Sequence, residues 1–146
     1  REFMASSKTF LVLCGPPGVG KTLAAMLVLE HAARNFRTCT LARAGECTRL
    51  GLFAPEDCDY VRRLRRSGCL VLDDLGAELL HDGWRNTLDE VLDWRYLERL
   101  DTVLTTNLDP EAFKQRYGGR IASRVNHDSM VFVCGNRSMR VPEVRR

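Results

Sequence analysis

Residues 15–22 read Gly15-Pro16-Pro17-Gly18-Val19-Gly20-Lys21-Thr22, and this run fills every fixed position of the pattern G-x-x-x-x-G-K-[ST]. Glycine lets the backbone turn where a side chain would block it, so that successive N–H groups can point towards phosphate oxygens. Lys21 adds a positive charge, the Thr22 hydroxyl is a ligand for Mg²⁺, and the start of a following helix attracts the same anion. The run therefore predicts a site at which a nucleoside triphosphate, ATP, binds together with Mg²⁺.

A phosphate-binding loop of this kind needs a strand before it and a helix after it, and both are predicted. Residues 9–14 are a short apolar run that ends at glycine and proline, as a buried strand of a parallel sheet does. A helical pattern that begins with Leu23, Met26 and Leu27 continues to Asn35. The alternative is a turn rich in glycine and proline that fills the pattern by chance, and the intact strand, loop and helix argue against it.

Length and composition predict one globular domain. The chain has 146 residues, of which 45% are hydrophobic and 28% are charged, and a chain of this size can bury a sizeable core. We expect the domain to cover residues 4–146, because Arg1, Glu2 and Phe3 precede Met4 and resemble a cloning remnant. No apolar run approaches the ~20 residues of a membrane span, and no secretory signal is evident, so we expect a cytoplasmic protein without membrane contact.

The cysteines favour reduced thiols over disulfides or a metal site. Six cysteines are present, without a C-x-x-C pair or a cluster of cysteine and histidine. Cys14, Cys69 and Cys134 lie in or beside apolar runs and are predicted to be thiols of the core. The wide spacing of the others favours free thiols in a reducing cytosol as well.

A second motif, Cys69-Leu70-Val71-Leu72-Asp73-Asp74, is an apolar strand that ends in two carboxylates, which is the Walker B pattern. A parallel strand directs its C-terminal end towards the ligand, so we predict that Asp73 holds the Mg²⁺ shell. Asp74 is predicted to orient the attacking water and to remove its proton. Adjacent residues of a strand point to opposite faces, so both acids serve one site only if the backbone turns there. The alternative is a strand that ends in an Asx turn.

The rest of the chain alternates strands with helices, which predicts an α/β fold in which helices cover both faces of a parallel sheet. Further strands are predicted at 38–42, 102–105 and 130–134. Residues 43–54 contain glycines and are predicted to be a loop, and residues 55–66 a helix with proline at its start. Asp82 and Asp109 are predicted N-caps of two later helices, and a short helix is predicted at 120–125. The core face of the helix after Asp82 is predicted to contain Trp84, Leu88, Val91, Leu92 and Arg95 or Tyr96.

Arginine is unevenly distributed along a chain whose net charge is +3. One cluster consists of Arg62, Arg63, Arg65 and Arg66, and a second consists of Arg137, Arg140, Arg145 and Arg146. Positive clusters suit a nucleic-acid backbone, so we predict that the first cluster, with Arg43 or Arg49, contacts DNA without reading its bases. The alternative is a solvated helix face and a frayed tail.

The chain contains, in this order, the motifs GPPGVGKT, LVLDDLGAE, DWRY (93–96), VLTTNL and GRIASRV (119–125). From Lys8 to about Arg140, this series resembles the DnaC/IstB-like family of AAA+ ATPases, which contains replicative helicase loaders and helper ATPases of transposition. The resemblance implies a P-loop fold of AAA+ type, with a five-stranded parallel sheet between helices and without the C-terminal helical lid of a full AAA+ module.

The resemblance also implies roles for three residues outside the two Walker motifs. Asn107 occupies the sensor-1 position, at the tip of the strand between the two Walker strands, and would hydrogen-bond the γ-phosphate or the attacking water. Arg124 matches the arginine finger, which reaches the nucleotide of a neighbouring subunit. Arg140 resembles a C-terminal arginine that contacts the nucleotide as a second sensor. The alternatives are a turn residue for Asn107 and a surface cation for Arg124.

Three functional classes remain open at this stage. The first is an ATPase, weak in isolation, that acts in DNA replication or transposition and assembles with ATP as a homo-oligomer on single-stranded DNA, a replicative helicase or a transposase. A monomer is the alternative state for the domain alone. The second is a switch between ATP and ADP with negligible turnover, favoured by Asp74 where many AAA+ proteins have Glu. The resemblance also leads us to expect that the N-terminal region by which helicase loaders bind a helicase is absent, which favours the switch as well. The third is a small-molecule P-loop kinase, in which Asn107 and Arg124 would have no role.

Overall fold

A single parallel sheet organises the chain. The structure is a computed structural model, and it describes residues 2–35, 37–51 and 58–135. The strands are β1 (Phe10–Cys14), β2 (Cys39–Arg43), β3 (Cys69–Leu75), β4 (Asp101–Thr106) and β5 (Ser129–Val133). They lie in the order β2-β3-β4-β1-β5, and every neighbouring pair is parallel. The predicted α/β fold with a five-stranded parallel sheet is thereby confirmed.

Helices connect the strands and pack on both faces of the sheet. They are α1 (Glu2–Ala5), α2 (Lys21–Arg34), α3 (Ala44–Gly51), α4 (Asp59–Arg66), α5 (Asp82–Leu97), α6 (Pro110–Tyr117) and α7 (Gly119–His127). The predicted cap of α6 is confirmed, because Oδ1 of Asp109 accepts a hydrogen bond from the N–H of Ala112 at 2.8 Å.

Two predictions about the helices are wrong. The loop predicted over residues 43–54 is helical over α3, where Ala44, Cys47 and Thr48 are buried. Burial of this face outweighs the low helix propensity of glycine, on which the loop prediction depends. The N-cap of α5 is His81 and not Asp82, since Nδ1 of His81 accepts the hydrogen bond from the N–H of Trp84 at 3.2 Å. The proline start predicted for α4 lies outside the described residues, and α4 begins after its N-cap, Cys58.

The core occupies both faces of the sheet because neighbouring residues of a strand point to opposite sides. In β1, Phe10 and Val12 belong to the larger cluster, which α3 to α7 complete, whereas Leu11 and Leu13 belong to the smaller cluster with α1 and α2. Phe3 lies in that smaller cluster and is 4% exposed. It therefore contributes to packing, although residues 1–3 resemble a cloning remnant. The predicted core face of α5 is confirmed: Trp84, Leu88, Val91, Leu92 and Arg95 are buried.

The cysteines are free thiols in this structure. Cys14 and Cys69 are buried, as predicted, and Cys134 is partly buried. Burial raises the pKa of Cys69 to about 11. A thiol with a raised pKa is a poor nucleophile at neutral pH, which suits a packing role.

Arg95 carries a positive charge into the core and is 0% exposed. Its guanidinium donates to the carbonyl oxygens of Leu64 (3.0 Å), Arg65 (3.1 Å), Ser67 (2.8 Å) and Asp101 (2.6 Å) and to the Thr102 hydroxyl (2.8 Å). Burial lowers the pKa of Arg95 to about 10, so the side chain stays protonated at neutral pH. The hydrogen bonds of Arg95 thus connect the C-terminal end of α4 to the first residues of β4.

The order of the strands brings distant parts of the chain together at one edge of the sheet. Because β4 lies between β1 and β3, the loop after β1, the acids at the end of β3 and the residue after β4 are neighbours. Ligands of open parallel sheets bind at this carboxyl edge. Within the described part of the chain, which ends at residue 135, no helix follows β5, and no helix is long and apolar enough to cross a membrane.

Candidate functional site

The loop between β1 and α2 leaves its backbone donors open. Gly18 and Gly20 have φ angles of 85° and 92°, in the left-handed region that favours glycine. At Gly15 a Cβ atom would lie 2.7 Å from the carbonyl oxygen of Cys134, so a larger residue does not fit. Gly20 is the N-cap of α2, and no side chain caps this helix. The N–H groups of the first turn can therefore bind an anion, which the helix dipole also favours.

Lys21 connects this loop to the end of β4. Its side chain is largely buried, and its Nζ donates to the carbonyl oxygens of Gly15 (2.7 Å) and Pro16 (2.8 Å). The same Nζ donates to Oδ1 of Asn107 at 2.7 Å. The structure therefore brings together two predicted site residues that are 86 positions apart in the sequence.

The two acids at the end of β3 adopt different conformations. Asp73 is 4% exposed, and its Oδ1 accepts hydrogen bonds from the hydroxyls of Thr22 (2.9 Å) and Thr105 (2.7 Å). Asp74 is exposed and has a φ of 63°, a left-handed conformation. That conformation costs an L-residue about 1–2 kcal/mol. The backbone turns at these acids, as a shared site requires, because the register against β4 shifts between Leu72 and Leu75.

The oxygen atoms beside the loop fit Mg²⁺. The Thr22 hydroxyl and the Asp73 carboxylate lie 2.9 Å apart, and oxygen donors of this kind are the ligands that Mg²⁺ prefers. Mg²⁺ usually keeps several waters and takes only one or two carboxylates together with phosphate oxygens. A dense cluster of metal ligands is thus not needed, and the described residues contain no group of three or more His, Cys, Asp or Glu that could hold a metal.

A cavity of 830 Å³ opens at this edge of the sheet, within the size range of ligand pockets. Its lining includes the predicted residues Pro17, Gly18, Gly20, Lys21, Thr22, Asp73, Asp74 and Asn107. It also includes residues that the sequence did not assign to a nucleotide site, among them Leu23, Met26, Glu46, Ala77 and Thr105. Thr105 could have been suspected, because a hydroxyl within an apolar strand needs a partner once it is buried.

Arg124 does not line this cavity in the structure. Its Nη1 lies 2.5 Å from Oδ1 of Asp89, and its Nε lies 2.7 Å from Oδ1 of Asp93. The side chain is 19% exposed, so these ion pairs between α7 and α5 are partly shielded from water. Within the chain, Arg124 therefore joins α7 to α5. Arg140, the other predicted arginine of the site, lies outside the described residues.

The arginines predicted to contact DNA are divided between two surfaces. Arg43 and Arg49 line the cavity at the carboxyl edge. Arg62, Arg63 and Arg66 line a different groove, of 520 Å³, beside Thr38 at the start of β2. β2 is about 13 Å long, because it has four steps of about 3.3 Å each, and the two sets of arginines lie near its opposite ends. The predicted contact of both sets with DNA therefore involves two separate parts of the surface.

The side chains of the cluster on α4 also differ from one another. Arg63 lies over the ring of Tyr60 at 5.8 Å, and Arg66 lies over the ring of Trp94 at 6.0 Å. Arg65 instead pairs with Glu90 at 2.5 Å and is mostly covered. Two of the cations therefore lie against aromatic faces, where cation–π attraction stabilises them.

Comparison with known proteins relates this geometry to a family. A family model described as IstB-like ATP binding protein matches residues 2–146. No curated protein matches the chain. The crystal structure of the DnaC helicase loader is similar, with 25% identity and a TM-score of 0.77 over 89% of this chain and 81% of that one.

Two further solved structures share the fold at lower identity. The crystal structure of DnaI has 22% identity and a TM-score of 0.78 over 92% of this chain and 74% of that one. The replication initiator DnaA bound to AMPPCP and single-stranded DNA has 14% identity and a TM-score of 0.78, over 88% of this chain and 41% of that one. All three similarities cover most of this chain, so the fold is that of DnaC, DnaI and DnaA.

Proposed function

This chain belongs to the family of IstB-like ATP binding proteins, and from that membership we propose that it is an ATPase. It binds ATP with Mg²⁺ in the cavity at the carboxyl edge of the sheet and hydrolyses it to ADP and phosphate. One observation carries the proposal: Lys21, Asp73, Asp74 and Asn107 line a single cavity beside an uncapped helix start. A lysine, two acids and open backbone donors in one cavity match what the hydrolysis of a triphosphate requires.

Binding uses the backbone donors of the loop and the ammonium group of Lys21. In the structure, Lys21 donates to two carbonyl oxygens and to Asn107. Phosphate oxygens carry more negative charge than these acceptors, so the ammonium group turns towards them when ATP binds. Asn107 is then released to hydrogen-bond the terminal phosphate or the attacking water. Mg²⁺, held by Thr22 and Asp73, neutralises charge on the phosphates when it is bound.

Hydrolysis transfers the terminal phosphoryl group to water. The water oxygen forms a bond to the terminal phosphorus, and the bond from that phosphorus to the bridging oxygen breaks, so that ADP leaves with the electron pair. Asp74 accepts the proton that the water loses. The carboxylate of Asp is one methylene shorter than that of Glu, so we expect slow turnover by the isolated chain.

A second copy of the chain completes the site in this proposal. Arg124 is bound to Asp89 and Asp93 and cannot contact nucleotide in its own cavity at the same time. In an ATP-dependent homo-oligomer, Arg124 of one copy stabilises the charge that develops on the nucleotide of the next. Arg140 is proposed to contact the nucleotide from the C-terminal part of the chain.

A nucleotide-dependent switch with negligible turnover is the second candidate. The ion pairs of Arg124 favour it, because they hold this arginine away from the nucleotide cavity of its own chain. An arginine finger contributes roughly 10³–10⁵-fold to turnover in phosphoryl-transfer enzymes that use one. Phosphate release by the wild type, measured with and without single-stranded DNA, distinguishes the two candidates.

Single-stranded DNA and a replicative helicase or a transposase are the proposed partners. One relative is a helicase loader and another is bound to single-stranded DNA, which supports a role in replication or transposition. For this chain, Arg63 and Arg66 on α4 are the proposed contacts with the DNA backbone. Contacts of this type give weak, salt-dependent binding.

The DNA proposal is tested by reversing charge at these two positions. Arg63→Glu combined with Arg66→Glu should lower the affinity for single-stranded DNA and flatten its dependence on salt. Arg34→Glu is the matched control, since Arg34 lies on α2 in an exposed pair with Glu30. Unchanged affinity and salt dependence in the double variant would remove the α4 cluster from the DNA-binding surface.

The nucleotide site itself is tested by ligand-induced stabilisation. A non-hydrolysable ATP analogue with Mg²⁺ should raise the unfolding temperature of the wild type, because a ligand at 100 times its Kd stabilises the folded state by about 2.7 kcal/mol. Lys21→Ala should abolish this stabilisation, whereas Lys114→Ala, an exposed lysine of α6, should keep it. Equal stabilisation of the Lys21→Ala variant and the wild type would show that the site is wrongly assigned.

A further inference from the structure

We propose that Thr105 is a positioning residue for both acids at the end of β3, because its single hydroxyl binds Asp73 and Asp74 at once. The inference rests on the proposed function, since it concerns the same nucleotide site. It adds to that site a residue that acts through the two acids and not on the nucleotide itself.

The hydrogen bonds of Thr105 define its role. Its Oγ1 donates to Oδ1 of Asp73 at 2.7 Å and accepts from the backbone N–H of Asp74 at 2.8 Å. A hydroxyl has one proton, so donation to the carboxylate leaves only its lone pairs for the N–H group. Thr105 is 1% exposed and its bond to Asp73 is buried, so water does not compete for that bond. One side chain thus holds the carboxylate of the first acid and the backbone of the second.

The irregular pairing of β3 with β4 explains why a side chain is needed there. In a regular parallel ladder, N–H groups of one strand bind carbonyl oxygens of the next. The register shifts between Leu72 and Leu75, and inside this stretch the N–H of Asp74 binds the Thr105 hydroxyl. Irregularities of this type occur next to active sites, where they redirect a side chain. The hydroxyl of Thr105 therefore replaces a backbone acceptor at the position where the strand turns.

The conformation of Asp74 depends on this replacement. Its φ of 63° lies in a region that residues other than glycine seldom adopt, and such conformations persist only when their surroundings hold them. Loss of the Thr105 hydroxyl removes the bond that holds the Asp74 amide. We expect the backbone to relax and the carboxylate of Asp74 to move away from its position in the cavity.

Asp73 has two hydroxyl partners, and Thr105 is the one that belongs to the sheet. Oδ1 of Asp73 also accepts from Thr22, which belongs to the helix after the phosphate loop. A residue of a central strand stays in place when a ligand enters the loop, since β4 is paired on both sides. Donors behind a metal-binding carboxylate orient it, and their removal typically lowers metal affinity or activity by about 10–100-fold.

Three variants test the proposal. Thr105→Val removes the hydroxyl and keeps the branched shape, whereas Thr105→Ser keeps the hydroxyl. Thr9→Val is the matched control, because Thr9 is 2% exposed and does not line the cavity. For each protein, the Kd of ATP is measured with and without Mg²⁺, and phosphate release is followed to separate kcat from KM.

We expect Thr105→Val to bind metal-free ATP like the wild type and to lose about 10–100-fold in Mg²⁺ affinity and in kcat. Thr105→Ser should recover most of both, and Thr9→Val should change neither. A hydroxyl with a purely structural role would lower stability in Thr105→Val without changing the Mg²⁺ dependence, and that result would overturn the proposal. The Kd of ATP with and without Mg²⁺ tests the role of Thr105 even if the protein is a switch with negligible turnover.

Hydrogen exchange of the wild type provides a test that needs no variant to fold. The Asp74 amide should exchange slowly without nucleotide, since its N–H is bound to Thr105. Exchange at the rate of an exposed amide would overturn the proposed geometry. A wild type that binds no ATP would overturn the proposed function together with this inference. A wild type that binds Mg²⁺ and ATP while Thr105→Val matches it would overturn this inference alone.

Discussion

Replacement of the buried Arg95 by methionine should weaken the fold without touching the nucleotide site. Methionine is unbranched and of similar length, so Arg95→Met removes the guanidinium donors while the space remains largely filled. The variant loses five hydrogen bonds from α5, three of which are fully buried. The connection between the end of α4 and the start of β4 then depends on apolar packing alone.

The expected loss follows from the acceptors that remain. Of the three buried acceptors, the Thr102 hydroxyl still has a bond to the carbonyl oxygen of Leu100 at 2.9 Å. The carbonyl oxygens of Leu64 and Ser67 lose their buried donor. An unsatisfied buried acceptor costs about 1–3 kcal/mol, which gives about 2–6 kcal/mol for two of them. Since the variant no longer buries a charge, we expect a net loss of about 3 kcal/mol in the free energy of unfolding.

Denaturation by urea and by heat, followed by circular dichroism, measures this loss. For a chain of this length, about 3 kcal/mol corresponds to a decrease in Tm of about 6–12 °C. Arg85→Met is the matched control on the same helix, because Arg85 is 46% exposed in a pair with Asp82. Surface substitutions usually stay within about 0.5 kcal/mol. If Arg95→Met is as stable as Arg85→Met, the hydrogen bonds of Arg95 do not stabilise the fold and the reasoning is wrong.

Three further outcomes are expected. Burial raises the pKa of Asp128, but hydrogen bonds from Thr9 and the charges of Arg99 and Lys8 outweigh it and hold the pKa below its ordinary 3.8. The lowered pKa stabilises the fold above pH 3.8, and this stabilisation is lost as the pH falls through the pKa of Asp128 in the folded state. Asp128→Asn should therefore lower the free energy of unfolding at neutral pH and lower it much less in acid. An equal decrease at both pH values would contradict this prediction. Asp74→Asn should keep nucleotide affinity and lose phosphate release, and equal turnover in this variant and the wild type would exclude Asp74 as the general base. A mixture of Arg124→Ala with Lys21→Ala should hydrolyse ATP faster than either alone under assembling conditions, whereas wild-type activity of Arg124→Ala by itself would exclude the finger.

Much of the fold was predictable because its signals are local. The phosphate loop, the strand before it and the apolar strand that leads into Asp73 and Asp74 are each contiguous runs, and the structure has all of them. The misjudged elements are those in which tertiary contacts override local preference. Residues 44–51 are helical despite two glycines because one face is buried, and His81 caps α5 in place of Asp82 because its ring reaches the free N–H.

The site was predictable to the extent that its residues belong to motifs. Lys21, Thr22, Asp73, Asp74 and Asn107 were singled out from the sequence and lie together in the structure. Thr105 was not predicted, because its role depends on a shift of register between β3 and β4 that no local pattern predicts. The partners of Arg124 were missed for a related reason, since Asp89 and Asp93 lie on a helix more than thirty residues away, a separation of 35 for the hydrogen bond to Asp89.

The sequence by itself determined the α/β class, the phosphate loop and the presence of two acids at a strand end. Backbone turns and strand ends depend on residues that are adjacent in the sequence, so a local pattern predicts them. Only the tertiary structure decided which residues share the cavity. The order β2-β3-β4-β1-β5 places β4 between the two motif strands, and this brings Asn107 to Lys21 and Thr105 to both acids. The fold also places Arg43 at the cavity and the arginines of α4 at a different groove. The physical reason is that strand order and register depend on packing between residues far apart in the chain, which no local pattern records.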